Sequence, residues 1–113
     1  MVTFPTEATL LELSDWQNFD IYEYMPPTDT LFQLVEIQLA HITHLLDGAT
    51  VQEIFHLDPP TYFAEMQRAL HRNELAPIII TQDTIIDGYH RLLVAIAEDA
   101  KVICAYVPCK LDA

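Results

Sequence analysis

The sequence is poor in bases, glycines and cysteines, and each shortage excludes something. Lys and Arg number 5 against 17 Asp and Glu, for a net charge of −12 with the histidines neutral. Binding to duplex nucleic acid depends on neutralising phosphates and releasing their counterions. Arg68, Arg72, Arg91, Lys101 and Lys110 are too few and too scattered to track a phosphate backbone, so direct DNA binding is not expected. An acidic surface suits solubility, a basic protein partner, or mimicry of nucleic-acid charge. No apolar run approaches the length of a membrane span. The opening stretch MVTFPTEATLLELSDWQ lacks the basic start of a secretory signal. The expectation is a soluble, cytoplasmic protein.

Cys104 and Cys109 are five apart in VICAYVPCK, which matches neither CxxC nor a zinc-ligand spacing. Odd spacing along an extended strand sends two side chains to opposite faces. Two buried or incidental thiols are expected. The hydrophobic share of 51% is too high for a disordered chain, and 113 residues suit one core.

Residues 1–30 end in the breaker cluster MPPTDT and read as an acidic, aromatic extension. Leu10, Leu13 and Trp16 follow helical spacing. The stretch either covers one edge of the core or serves as an arm for a partner. From residue 31 the domain proper begins. VEIQL reads as a strand with a turn near residues 41–43, and a helix over 31–46 competes with it. Thr50 and Glu53 have the spacing of a capping box, so a short helix or helical turn is expected there. The prolines of DPP, at 58–60, suit a helix start, with a helix over 61–75 presenting Tyr62, Phe63, Met66, Ala69 and Leu70 on one face. PIIIT and TII then form a tight hairpin across Gln82 and Asp83. HRLLVAIAED is a largely buried helix, and KVICAYV is the last strand.

The joint between the hairpin and that helix, IIDGYHRLL, places one of only 2 glycines beside three polar side chains. A strand that turns directly into a helix exposes the helix's first N–H groups, which favour an anion. Gly88 lets a ligand approach the backbone, and Arg91 supplies a planar fork for phosphate or carboxylate. His90 donates to a phosphate oxygen or moves a proton near neutral pH. Asp87 would cap the helix, hold a metal together with water and substrate phosphate, or act as a base. Local chemistry alone also allows a plain turn and cap.

PIIITQDTIIDGYHRLLVAIAEDAKVICAYVP resembles the core of the ParB/sulfiredoxin-like superfamily over roughly residues 34–108, in the order strand, hairpin, D-G-x-H-R turn, helix, closing strand. The resemblance implies an α/β (α+β) fold, a small mixed sheet with packed helices, spanning residues 31–113. It implies that Gly88, His90 and Arg91 bind the phosphates of a nucleotide, ATP or CTP with Mg²⁺. Asp87 and His90 would then be the catalytic pair. If the domain is an enzyme, it would be a nucleotide-dependent phosphotransferase or hydrolase. The superfamily also contains sulfiredoxins, partition proteins and proteins described as nucleases. Tyr89 stands where a sulfiredoxin carries its cysteine, which removes sulfinic-acid repair. No helix-turn-helix stretch follows the corner before Ala113, so neither partition-site reading nor a CTP-driven clamp is expected. Serine kinases of the superfamily need a further acid, for which Glu36 and Asp47 are candidates. Asp99 and Ala100 stand where the superfamily often has glycine before the last strand, and Asp accepts a left-handed conformation.

Two other groups have competing readings. His41, His44 and Asp47 recur every three residues, as ligands on one helix face would, but lack further donors, and no metal site is assigned to them. Arg68 and Arg72 either reach the phosphates of the corner or pair with acids in solvent. Three functions follow: a nucleotide- or phosphate-binding domain, a noncatalytic acidic regulator or inhibitor that engages a basic protein, and a metal-dependent nuclease. A homodimer is compatible with each, and a short acidic chain of this type would suit a phage or mobile element.

Overall fold

The computed structural model describes residues 4–23, 25–45, 60–72 and 74–109, with the backbone alone for residues 60–63. Among these residues five strands, β1 (Glu7–Thr9), β2 (Leu31–Gln38), β3 (Ile78–Ile80), β4 (Ile85–Asp87) and β5 (Val102–Pro108), form one mixed sheet in the order β1-β2-β5-β3-β4. The β3–β5 pair is parallel and the other three are antiparallel. Three α-helices accompany it among the described residues: α1 (Leu10–Gln17), α2 (Pro60–His71) and α3 (Tyr89–Ala97). The fold is α+β, a small mixed sheet with packed helices, as expected. No helix among the described residues is long and apolar enough to cross a membrane.

Instead of one core, the sheet has apolar packing on both faces. Ile78, Ile80, Ile103 and Ala105 point to one side, where they meet Leu92 and Ala95 of α3 together with Leu39 and Ile42. Ile79, Phe32 and Tyr106 point to the other, against Ala8, Leu10 and Leu13. The period-2 alternation of strand side chains sorts neighbours between these layers. All three isoleucines of β3 are therefore buried, as expected of a strand covered on both faces.

The N-terminal stretch contributes the edge strand and the helix that covers the second face. Thr9 caps α1: its hydroxyl accepts from the Glu12 amide at 3.2 Å, and the Glu12 carboxylate accepts from the Thr9 amide at 3.1 Å. This reciprocal pair satisfies two otherwise orphaned donors. Leu10 and Leu13 are fully buried, each stabilising the fold by about 1.5–3 kcal/mol. Trp16, placed by the same helical spacing, is instead 53% exposed. The Tyr106 hydroxyl reaches back across the sheet to donate to the Pro5 carbonyl at 2.6 Å.

β2 runs from Leu31, earlier than the expected VEIQL, and excludes the competing helix. Two short 3₁₀ turns, Leu39–His41 and Thr43–Leu45, follow it. α2 ends at His71 rather than residue 75, and the Arg72 and Glu74 amides bond back to Arg68 and Ala69. The expected capping box at Thr50 and Glu53 lies outside the described residues. Asp99 adopts φ +55°, the left-handed conformation that Asp accepts. Of the buried and incidental readings of the cysteines, the buried one does not hold. Cys104 is exposed and Cys109 half-buried, because Cys104 sits on the strand position opposite Glu36, away from the apolar alternation.

Candidate functional site: the strand-to-helix corner

β4 reaches the corner through an irregularity. Ile79 faces Asp87 while Ile80 faces Ile85, so Ile86 is an extra residue on β4. Such bulges bend a strand and re-aim the side chains beside them. Gly88 follows at φ +98° and is the N-cap of α3. That region is costly for any residue with a Cβ. A Cβ here would also lie 2.7 Å from Ile78 Cγ2 and 2.7 Å from Arg91 Nη2. The glycine thus answers two demands, a left-handed turn and a guanidinium folded over the backbone.

Gly88 offers no side-chain cap bond to α3. Of the three roles read for Asp87, the N-cap position falls to Gly88 instead. Asp87 is the last residue of β4, and its Oδ2 accepts from Arg91 Nη2 at 3.1 Å. The pair is shielded from solvent: the Arg91 side chain is 16% exposed and that of Asp87 26%. Arg91 Nε is buried without a hydrogen-bond partner. One arm of the fork is thus engaged while another donor has no acceptor, at a cost to folding that a bound acceptor would offset.

Asp87, Gly88, His90 and Arg91, the four residues singled out from the sequence, come together in one cleft of about 300 Å³. Tyr89, Ile85, Ile86 and Met66 complete its lining. Met66 comes from α2 and was legible only as part of an apolar helix face. Arg68 and Arg72 are exposed and do not line the cleft. Glu36 lies on β2 opposite Cys104, outside the cleft lining, and Asp47 is outside the described residues. Glu36 is therefore not placed as a second catalytic acid. Among the described residues, no group of three or more His, Cys, Asp or Glu is placed to hold a metal ion.

A second, more open groove of about 930 Å³ includes Ile42, Leu45, Ile80, Val107 and the exposed imidazoles of His41 and His44. No family model, curated protein or solved structure matches the chain.

Proposed function

We propose that the chain binds a phosphate-bearing ligand, foremost a nucleotide, at the 87–91 corner. The observation that carries this reading is the start of α3. Its first turn, with no side-chain cap, lines the same cleft as a shielded arginine that has an unsatisfied donor. Backbone amides at a helix N-terminus and a guanidinium fork are two complementary ways of holding phosphate oxygens, and the missing Cβ of Gly88 makes room for the fork. The order of elements around DGYHR, similar to the ParB/sulfiredoxin-like superfamily, favours the same reading.

The size of the cleft limits what it holds. About 300 Å³ is the low end for a small-molecule site. It accommodates a phosphate chain and leaves the sugar and base against the rim. Among the described residues of the lining, Asp87 is the sole carboxylate. Mg²⁺ typically keeps several waters and binds through one or two carboxylates plus substrate phosphates. Asp87 fits that pattern when the ion arrives on the nucleotide, where Mg²⁺ would neutralise phosphate charge. In phosphoryl transfer, Arg91 and the α3 amides would position and stabilise the phosphates, and His90 or Asp87 would take the proton from the attacking group.

The test is amide NMR with ATP, CTP and pyrophosphate, each with and without Mg²⁺. Signals of residues 88–91 are expected to move, and Arg91→Ala to abolish the movement. If no ligand shifts them at millimolar concentration, the corner is a structural turn and the reading fails.

A further inference from the structure

The outward face of α1 has an arrangement that neither the core nor the corner uses. Leu10 and Leu13 turn inward. On the opposite side Leu11 is 52% and Trp16 53% exposed, and Glu12 and Asp15 are exposed with them. At 3.6 residues per turn, Asp15 and Glu12 fall between Leu11 and Trp16 around the helix. The face therefore reads apolar, acid, acid, aromatic. Beyond the helix, Asp20, Tyr22 and Glu23 are also exposed. Residues 1–30 contain no Lys, Arg or His, and all five Lys and Arg lie between residues 68 and 110.

We propose that this face docks an arginine-bearing surface of a partner protein. The chemistry is specific to that side chain. A guanidinium bonds a carboxylate in a planar fork and also stacks on an indole face, whereas a lysine ammonium does the first only as a point charge. Asp15 supplies the carboxylate for the fork beside Trp16, and Glu12, whose Oε1 is held by the cap, adds its charge. Leu11 supplies an apolar contact for the aliphatic stem. The face is preorganised, because the reciprocal Thr9–Glu12 cap and two fully buried leucines fix α1 to the sheet. Tryptophan is among the residues that most often dominate binding energy at interfaces. α1 covers the face of the sheet opposite α3, and Leu11, Glu12, Asp15 and Trp16 are not among the residues that line the corner cleft.

Trp16 is the only tryptophan, so its fluorescence reports this face directly. The experiment titrates the full chain with nona-arginine and with nona-lysine peptides. Trp16 emission is expected to change saturably, with nona-arginine binding about three- to fivefold tighter. Glu12→Gln with Asp15→Asn should weaken nona-arginine binding by a similar factor, while Glu65→Gln, an exposed acid on α2, should not. Gln at position 12 keeps the cap geometry, and circular dichroism confirms that the helix remains. Arg91→Ala should leave the titration unchanged. The proposal is overturned by an unresponsive Trp16, by equal affinity for the two peptides, or by equal weakening from Glu65→Gln.

Discussion

Arg91 Nη2 lies 3.1 Å from Asp87 Oδ2, and the guanidinium rests where a side chain on Gly88 would otherwise stand. The two charged residues expected to hold a ligand already hold each other. A phosphate entering the cleft meets an arginine that is partly neutralised and a carboxylate that repels it. The same carboxylate becomes favourable once a divalent cation accompanies the phosphate. On the proposed reading, the corner would discriminate between free and metal-bound phosphates through one side chain.

Asp87→Asn is expected to separate those two cases. The amide keeps an acceptor for Arg91 and removes the charge. Metal-free pyrophosphate should bind about fivefold more tightly, the equivalent of roughly 1 kcal/mol for a half-buried pair. Binding of the magnesium complex of ATP should weaken in the same variant. Calorimetric titration in EDTA and in Mg²⁺ reads both, and a change of the same sign in the two buffers would contradict the account.

Gly88→Ala should destabilise the fold by about 2–4 kcal/mol, combining backbone strain at φ +98° with crowding against Ile78 and Arg91. Ile78 is fully buried and cannot retreat, whereas the Arg91 side chain can. Adding Arg91→Ala to Gly88→Ala should therefore cost less than the sum of the single effects. Urea unfolding of the four proteins in this cycle measures the difference.

Much of the corner is legible before the structure because its signals are local. Asp-Gly after an apolar run predicts the turn, and Asp99 predicts the left-handed residue that ends α3. The Asp87–Arg91 pair is also local, at four-residue spacing, but each partner reads equally well as a ligand contact. Geometry alone shows that they face each other. β1 is illegible for a different reason. Three residues, EAT, are too short to show a period, and its place depends on a pairing with Gln33, Phe32 and Leu31 that no local rule supplies. β2 competes with a helix in the sequence because it is covered on both faces. Phe32 and Leu34 pack on one side and Ile37 on the other, so apolar residues do not alternate cleanly with polar ones.

Tyr106→Phe is expected to cost about 1 kcal/mol through the hydrogen bond to Pro5. Burial pushes the Tyr106 phenol above its ordinary value of 10.0. Below that value both the folded and the unfolded chain hold the proton, and the contribution is fully present. As pH rises past it, the unfolded chain ionises first, so stability falls until the folded phenol ionises as well. The alkaline limb of a stability–pH curve should therefore be shallower in Tyr106→Phe.

The Cys104 thiol is raised from its ordinary 9.0, first by partial burial and then by the Glu36 carboxylate across the strand pair. The residue as a whole is exposed, so a reagent can reach it. Alkylation by iodoacetamide should need a higher pH than a free thiol does. Glu36→Gln should move the midpoint part of the way back. Mass spectrometry of the modified peptide across pH follows the thiolate, the reactive form.

β5 joins two parts of the sheet that have no other strand in common. On one side it meets β2, on the other β3, and Tyr106 is opposite both Leu34 and Ile79. Without it, β1 with β2 and β3 with β4 are separate ribbons, each with an unsatisfied inner edge. Folding then waits for one strand to be seated between two waiting templates, a long-range event that is slow compared with forming either ribbon. Until it happens, each template can accept the same strand from a neighbouring copy. The order of strands thus makes the moment before β5 docks the interval when exchange between molecules is easiest.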